Sequence, residues 1–390
     1  MKYNLLMPRH VVFGWGRRVE TGQLAAGLGQ RVFTLSGSRS LRAAGTWERI
    51  GDSLRAAGLT VFDLGTISRE PEVEDVDAMV GRMRELGGGV PGDLVLAIGG
   101  GAALDLGKAV AALATNPHGD TVRDFLEGVG RGLQITERPL PLIAMPTTAG
   151  TGSEATKNAV ISSQSGRFKK SLRSDWMIPA VALIDPELTV TCPRHITAWS
   201  GMDAVTQLIE SLITSKSTAI TRALCWEGLQ SAIPWLKRAC DEPDCRPARE
   251  AMSHAAFLSG VTLANAGLGM AHGIAAALGV HCHVPHGLAC AVLLPTALRA
   301  NRSMCIATLA DMAQLFHSRE WLSQMTAAEF TIDSITQLGI DLGVPQRLRD
   351  LGVRQDQLAE LVPASRGNSM SGNPRSLSDA ELRDILEALW

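Results

Sequence analysis

The sequence lacks any charge-free apolar run of about 20 residues, which is the length that a membrane-spanning helix needs. Its densest apolar stretch, GLACAVLLPTAL, is too short to span a bilayer and contains Pro295. The first residues, MKYNLLMPRHVVFGWG, contain no uninterrupted apolar stretch of signal-peptide length, because Arg9 breaks the run. We therefore expect no membrane partner.

The chain also lacks an excess of charge of either sign. Its 37 Lys and Arg residues and 39 Asp and Glu residues leave a net charge of -2, which gives no long-range attraction to nucleic acid. The seven cysteines all lie beyond residue 190 and form no CxxC pair. Scattered free thiols are typical of a reducing compartment, so we expect a cytoplasmic protein without nucleic acid as a partner.

The order of the apolar patterns predicts two domains, as does the length of 390 residues. In the first half, the strand-like runs RVFTLS, LTVFDLG and DLVLAIGGG alternate with the helical patterns TWERIGDSLRAAG, EVEDVDAMVGRMRELGG and GAALDLGKAVAALAT. Such alternation predicts a parallel sheet with helices on both faces. After "VALIDPELTVTCP" the patterns are helical, and Ser378 is placed to cap the last helix. We predict an α/β dinucleotide-binding, Rossmann-like domain over 1–190 and an all-α domain over 191–390.

Two polar loops follow interior strands of the predicted sheet. Gly99, Gly100 and Gly101 end one strand and open a helix, where backbone N–H groups can approach a pyrophosphate. The cluster is neither GxGxxG nor a Walker A loop, so a tight turn without a ligand is an equal alternative. The second loop, PTTAGTGSE, crowds threonine hydroxyls around two glycines at the same edge of the sheet, which favours a nucleotide ligand.

An acid, an amide and two histidines form a second pattern in the helical half. Asp203 and Gln207 are four residues apart on a predicted helix and so share one face. His272 and His286 follow in the segment LGMAHGIAAALGVHCHVPHG. A carboxylate and two imidazoles can bind catalytic zinc or Fe(II), although a lone histidine in a helix is more often a core residue.

Together these stretches resemble the iron-containing (group III) alcohol dehydrogenase family, which is related in fold to glycerol dehydrogenase and dehydroquinate synthase. The resemblance implies a dehydroquinate synthase-like fold, in which a dinucleotide domain and a helical domain present nicotinamide and metal to each other. The matching segments, in family order, are VVFGWG, GGGAALDLGKA, PTTAGTGSEAT, LIDPELT, GMDAVTQLIES, GMAHG, PHGLACAVLLP and GNPRSLSDAEL.

The resemblance also implies the cofactor contacts. The family often has serine directly after the glycine triplet, where this chain has Ala102. The resemblance indicates Lys170 as a cofactor contact, and its neighbour Lys169 is the alternative lysine. The implied contacts are Gly99, Gly100, Gly101, Ala102, Asp105, Thr147, Thr148, Thr151, Asn158 and Lys170, with Gly37 and Ser38 near the adenosine ribose.

Cofactor preference depends on the segment TLSGSRS. An acidic residue after this strand would bind the ribose 2′-OH and repel a 2′-phosphate. Gly37 stands at that place, flanked by Ser38 and Arg39, so we expect NADP(H) to be favoured over NAD(H). The alternative is a solvated turn that does not contact the 2′ position.

By the resemblance, the metal ligands are Asp203, Gln207, His272 and His286, with Gln207 in place of the family's histidine. Three alternatives follow. In the first, Fe(II) or Zn(II) is bound, and Gln207 is either a weak fourth ligand or a hydrogen-bond donor outside the ligand set. In the second, the protein works without metal. In the third, the four residues have only a structural role. Several family members have a further histidine four residues after the first ligand histidine, where this chain has Ala276, so His281 and His283 are the candidates for proton relay.

The reaction that the resemblance implies is hydride transfer between a small alcohol or aldehyde and nicotinamide C4, with one divalent metal acting as a Lewis acid. The alternatives are a metal-independent reductase of the same fold and a dehydroquinate synthase-like lyase. Lys169, Lys170 and Arg173 could favour an anionic substrate, but a charge run is usually a solvated face. Relatives are commonly dimers or larger, so we expect a homo-oligomer.

Overall fold

The computed structural model describes residues 2–37, 39–318 and 320–390. The chain forms two compact units. The α/β unit comprises Leu6–Thr148 and Gly152–Cys192, and the helical unit comprises Met1–Leu5, Ala149–Thr151 and Pro193–Trp390.

A six-stranded parallel sheet forms the centre of the α/β unit within the described residues, in the order β1-β8-β5-β4-β2-β3. This confirms the predicted fold class. The remaining two strands, β6 and β7, form a separate antiparallel pair. The strands are β1 (His10–Phe13), β2 (Arg31–Ser36), β3 (Thr60–Thr66), β4 (Asp93–Gly99), β5 (Leu142–Pro146), β6 (Asn158–Ser163), β7 (Phe168–Arg173) and β8 (Val181–Ile184).

Strand β4 is buried on both faces, as its continuous apolar run predicts. Leu94, Leu96 and Ile98 pack in one core cluster with side chains of α1 and α3. Val95 and Ala97 pack in a second cluster with α4 and α5. Each fully buried aliphatic side chain contributes about 1.5–3 kcal/mol to folding, so both helical layers hold the strand in place. The helices of this unit are α1 (Thr21–Ala26), α2 (Arg39–Ala43), α3 (Thr46–Ala56), α4 (Val73–Glu85) and α5 (Gly101–Thr115).

The hairpin of β6 and β7 contains the charge run of the sequence. Lys169 Nζ lies 2.5 Å from Glu70 Oε1, and Arg173 Nε lies 2.8 Å from Glu127 Oε1. Lys170 is half-buried opposite Ile161. Lys169 and Arg173 are therefore paired with acidic residues of the same unit.

The helices of the helical unit all lie in its long C-terminal segment, Pro193–Trp390. Ser378 accepts a hydrogen bond from the N–H of Glu381 and caps the last helix, as predicted. No single helix in the described ranges is long and apolar enough to cross a membrane, and α8 and α9 meet that test only as a pair bent by 100°. The helices are α6 (Arg194–Ile213), α7 (Ala219–Asp241), α8 (Arg246–Ala266), α9 (Met270–Cys282), α10 (His286–Met312), α11 (Gln324–Asp341), α12 (Leu358–Ala364) and α13 (Asp379–Leu389).

Candidate metal centre and cofactor loops

One buried face of α6 carries three polar side chains. Asp203, Gln207 and Glu210 follow one another at helical spacing and expose 2%, 3% and 3% of their surface. Burying a carboxylate is costly unless it is paired or hydrogen-bonded. The hydrogen-bond partners of these residues on the neighbouring helices therefore determine which of their atoms are free to bind a ligand.

Glu210 connects α6 to the start of α9. Its two carboxylate oxygens accept the backbone N–H groups of Gly269 and Ala271 at 3.0 and 2.6 Å. A negative charge at a helix N-terminus is favourable. Glu210 Oε2 also accepts the Nδ1 hydrogen of His272 at 2.7 Å. The imidazole is thereby turned so that His272 Nε2 lies 3.2 Å from Asp203 Oδ1.

His286 reaches the same carboxylate oxygen from the first turn of α10. Its Nε2 lies 3.9 Å from Asp203 Oδ1, and its ring centroid is 5.4 Å from that of His272. Gly287 makes the approach possible, since a Cβ on this residue would lie 2.5 Å from the carbonyl oxygen of Trp199. The start of α10 thus packs directly against the backbone of α6.

Gln207 does not present its oxygen to Asp203. The Ser259 hydroxyl lies 2.6 Å from Gln207 Oε1, a length typical of an O–H···O bond. The amide nitrogen lies 3.4 Å from both Asp203 Oδ2 and the carbonyl oxygen of Thr151. Rotating the amide would place its oxygen against two acceptors, so this orientation is the favourable one. Gln207 is therefore an N–H donor to the carboxylate.

Cys290 is the fourth side chain of the cluster. It follows His286 by one helical turn, and its Sγ lies 3.8 Å from His286 Nε2. Four potential ligand atoms lie within 4.8 Å of one another, one from each of Asp203, His272, His286 and Cys290. Glu210 was not among the predicted site residues, although it stands at helical spacing from Gln207, as Cys290 does from His286.

Charges in this cluster favour a cation. Burial opposes ionisation of Asp203, yet its contacts with His272 and His286 hold the pKa of this carboxyl below its usual range. Burial also opposes protonation of His272, but Cys290, Asp203 and Glu210 together raise the pKa of the imidazole well above its usual value. Burial raises the pKa of the Cys290 thiol to about 12. Two carboxylates paired with histidines, plus a soft sulfur atom, fit a divalent metal.

His281 and His283, the candidates for proton relay, are not brought into this cluster. His281 Nδ1 lies 3.3 Å from Glu360 Oε2. His283 is exposed and ends α9 in the left-handed conformation, with a φ of 56°. Their role in proton transfer stays a prediction.

The glycine loop of the α/β unit lies at the carboxyl ends of β2 and β4. The N–H of Gly37 donates to the carbonyl of Ile98 at 2.7 Å. A Cβ on Gly99 would lie 2.8 Å from the Cα of Gly37, so the two segments touch backbone to backbone. Gly100 precedes the first turn of α5, and Gly101 and Ala102 begin the helix with their backbones half-exposed. Such a helix start can accept a phosphate.

The threonine loop follows β5 beside the glycine loop. The N–H of Thr147 donates to the carbonyl of Gly99 at 2.9 Å, and a Cβ on Gly100 would lie 3.4 Å from Thr148 Oγ1. Thr151 belongs to the helical unit, where its carbonyl faces Gln207. Ser38, a predicted ribose contact, lies outside the described residues.

Asp105 and Asn158 differ in what remains available to a ligand. Ser153 Oγ donates to Asp105 Oδ1 at 2.5 Å, and the N–H of Val160 donates to Oδ2 at 2.9 Å, so both carboxylate oxygens have partners. Asn158 Oδ1 is buried and has no hydrogen-bond partner in the described part of the chain. An unpartnered buried amide oxygen fits a cofactor donor.

Comparisons with known proteins show the family of the chain. Residues 8–186 match the family model of iron-containing alcohol dehydrogenase, and residues 197–390 match that of the C-terminal part of the Fe-containing alcohol dehydrogenase family. The chain is 32% identical over 391 residues to the 1,3-propanediol dehydrogenase of Klebsiella pneumoniae, covering 98% of this chain and 97% of the relative. It is 28% identical over 387 residues to the NAD-dependent methanol dehydrogenase of Bacillus methanolicus, covering 98% and 99%.

A crystal structure of a 1,3-propanediol oxidoreductase matches the fold with a TM-score of 0.93 at 29% identity, covering 100% of both chains. The family models together span both halves of the sequence, in the order that the sequence motifs predict. The chain therefore belongs to the iron-containing alcohol dehydrogenase family, whose members are oxidoreductases that act on the CH–OH group with a nicotinamide cofactor and a divalent metal.

Proposed function

We propose that Asp203, His272 and His286 hold the divalent metal of this alcohol dehydrogenase, and that the α/β unit holds the nicotinamide cofactor. The observation that carries the proposal is the meeting of one carboxylate oxygen with two imidazole nitrogens inside the helical unit. When bound, the metal supplies Lewis acidity toward the oxygen of a small alcohol or aldehyde, and the nicotinamide supplies the hydride chemistry.

The residues around the ligands set their orientation. Glu210 takes the Nδ1 hydrogen of His272 and so leaves Nε2 as the ligand atom. Gln207 donates to Asp203 Oδ2 and leaves Oδ1 facing the histidines. Burial of Asp203 and His272 keeps bulk water away from both ligands. Asp203 and His272 are therefore each preorganised by a hydrogen bond on the far side.

On the cofactor side, we propose roles for the two loops of the α/β unit. The backbone N–H groups that begin α5 would take the pyrophosphate, with Gly100 and Thr148 beside it. Asn158 Oδ1 would accept a hydrogen bond from the cofactor, since it is buried without another partner in the described chain. These roles correspond to a cofactor domain over 1–190 and a metal domain over 191–390.

We also propose a preference for NADP(H). Gly37 supplies no carboxylate to repel a 2′-phosphate, and its close packing on Gly99 leaves no room for one. The test is kcat/KM with NADPH and with NADH, in the wild type and in Arg39→Ala. NADPH should be favoured, and the change should lower kcat/KM for NADPH alone. A wild type that prefers NADH, as the relative from Bacillus methanolicus does by name, would refute the preference.

Metal dependence has its own experiment. Protein purified without chelator should contain about one metal per chain, and EDTA should abolish NADPH-dependent reduction of a small aldehyde panel. Adding Fe(II) or Zn(II) should restore it. Substoichiometric metal with chelator-insensitive turnover would indicate a metal-independent reductase. Turnover without net production of oxidised or reduced nicotinamide would indicate a lyase.

Self-association is the last part of the proposal. Tyr3, Leu5 and Met7 alternate along the segment before β1, and each exposes between 38% and 46% of its surface. Exposed apolar side chains grouped in one segment favour a protein interface. We expect a dimer or larger assembly by light scattering coupled to gel filtration, and a monomer mass at micromolar concentration would contradict it.

A further inference from the structure

A cysteine lies where the metal site needs one more ligand. Cys290 is fully buried on α10, one turn after His286, so both side chains leave the helix on the same face. Its Sγ belongs to the group of four ligand atoms that lie within 4.8 Å of one another.

The spacing of the four atoms fits coordination to one ion. Zinc–nitrogen and zinc–sulfur bonds of about 2.0–2.1 and 2.3 Å place neighbouring ligand atoms of a tetrahedral site with one sulfur about 3.3–3.6 Å apart. Among these atoms, His272 Nε2 lies 3.2 Å from Asp203 Oδ1, Cys290 Sγ lies 3.8 Å from His286 Nε2, and His286 Nε2 lies 3.9 Å from Asp203 Oδ1. Small adjustments would suffice to bind an ion.

The amide of Gln207 forms hydrogen bonds that keep its oxygen away from the four ligand atoms. Its oxygen accepts from Ser259, and its nitrogen faces Asp203 Oδ2 and the carbonyl of Thr151. To become a ligand, the amide would have to break its bond to Ser259 and turn its oxygen toward two acceptors. The thiol needs no such rearrangement.

We propose that Cys290 Sγ is the fourth protein ligand of the metal and that Gln207 is an outer hydrogen-bond donor to Asp203. The proposal rests on the metal site of the proposed function and names a ligand which that function does not require. On binding, the Sγ–metal bond forms and the thiol proton leaves to solvent, because the thiolate is the ligand form. A thiolate is a soft ligand, so the site favours Zn(II) over Mg(II) or Fe(II).

Cobalt is the probe that separates this ligand from the others. The full chain is stripped with chelator and titrated with Co(II), which fills zinc sites and reports its ligands by absorption. Visible d–d bands show that cobalt is bound, whereas an intense near-ultraviolet sulfur-to-cobalt band appears only with a thiolate ligand. The wild type should show both, with one thiolate for each cobalt.

Two cysteine variants complete the test. Cys290→Ser should keep the visible bands and lose the sulfur band, because Asp203 and the two histidines still hold cobalt. Loss of an outer hydrogen-bond partner lowers metal affinity about 10–100-fold. The zinc dissociation constant of Cys290→Ser should rise by more than that. Cys305→Ser is the matched control, since Cys305 is buried on the same helix and donates to the carbonyl of Asn301. It should keep both sets of bands.

The outcomes separate this inference from the proposed function. Visible bands without a sulfur band in the wild type, together with chelator-sensitive turnover, would overturn Cys290 as a ligand and leave the metal site standing. No cobalt binding with chelator-insensitive turnover would overturn both. A sulfur band that survives in Cys290→Ser would assign the thiolate to another cysteine and so overturn the inference.

A double variant gives an independent check on the exchange of ligands. Cys290→Ser/Gln207→His places an imidazole where the family has one, and it should recover most of the zinc affinity that Cys290→Ser loses. The cobalt spectrum should then show the visible bands without the sulfur band. Affinity no better than that of Cys290→Ser would overturn the interpretation that Cys290 substitutes for the ligand at residue 207.

Discussion

Each unit of this enzyme buries a cluster of charged side chains, and the two clusters differ in how their hydrogen-bonding capacity is used. In the α/β unit, Lys108 is fully buried on α5. Its three donors have three acceptors: Asp105 at 3.0 Å, Thr156 at 2.8 Å and the carbonyl of Asn158. Asp105 in turn accepts from Ser153 and from the backbone of β6. We call this group the Lys108 network.

In the helical unit, the metal cluster of Asp203, His272, His286 and Cys290 is arranged in the opposite way. Glu210 and Gln207 hold His272 and Asp203 by hydrogen bonds on their outer sides. The inner atoms of the four residues face one another at separations that suit coordination to an ion. A bound cation would therefore satisfy these inner atoms.

The comparison shows why burial of charge alone does not identify a functional site. A buried ion pair whose donors and acceptors match one another is an architectural element, here tying α5 to β6. A buried set whose donor atoms converge, with its outer hydrogen bonds satisfied, is a binding site. Four substitutions test this distinction, beginning with the largest expected effect.

His272→Ala removes one of the proposed metal ligands. We expect kcat/KM for aldehyde reduction to fall about 10³-fold or more, because Lewis-acid stabilisation by a bound metal is worth several kcal/mol. Metal content, measured by mass spectrometry, should fall with it. His254→Ala, on the exposed face of α8, is the control and should change neither. Full activity of His272→Ala would show that the cluster is not the reaction centre.

Lys108→Met tests the Lys108 network. Removing one partner leaves Asp105 without its cation, and we expect the free energy of unfolding to fall by about 3–5 kcal/mol. Denaturant unfolding gives the value, while the cobalt spectrum of the helical unit should remain unchanged. Lys157→Met, which removes the partner of the exposed Asp175, should cost at most about 1 kcal/mol. Equal losses in the two variants would contradict the special role of Lys108.

Much of the fold could be predicted from the sequence because its signals are local. The continuous apolar run of β4 and the helical periodicity of α5 each lie within one short segment. The β6–β7 hairpin was missed, although Ala159 and Ile161 alternate with half-buried positions and the polar turn SQSG follows. Period-two alternation over so few residues is easily read as a loop.

The candidate site was predictable only in part. Asp203, His272 and His286 have a recognisable order along the chain, and the structure brings them together. The orientation of Gln207 is set by Ser259, which is 52 residues away in sequence, and by the carbonyl of Thr151. No local pattern reports such contacts, so residue type alone left open whether Gln207 is a weak ligand or an outer donor.

Glu154→Gln sharpens the comparison through pH. Burial raises the pKa of Glu154 to about 7 from 4.5, whereas Asp203 in the metal cluster has its pKa lowered. Between pH 4.5 and about 7 the folded chain keeps the Glu154 proton that the unfolded chain loses, so stability falls as pH rises through this window. The loss is about 3 kcal/mol.

In Glu154→Gln that part of the pH dependence should disappear, because the amide stays neutral throughout. Unfolding free energies measured at several pH values across the window give the slope. Glu127→Gln, which removes the carboxylate partner of Arg173, should keep the slope of the wild type. An unchanged slope in Glu154→Gln would assign the titration to another group.

Glu210→Gln has the smallest expected effect and tests whether the outer hydrogen bonds of the metal cluster matter for binding. The change keeps the side-chain length but removes the negative charge that holds the Nδ1 hydrogen of His272. We expect the zinc dissociation constant, from chelator competition, to rise about 10–100-fold. Glu227→Gln is the matched control, because Glu227 pairs with His254 on the exterior of the same unit, and it should leave zinc affinity unchanged.

Glu210 also accepts the first N–H groups of α9, so the free energy of unfolding is measured alongside. Lower stability with unchanged zinc affinity would reduce Glu210 to a helix cap, whereas weaker zinc binding beyond the loss of stability would establish that this carboxylate orients His272 for the metal.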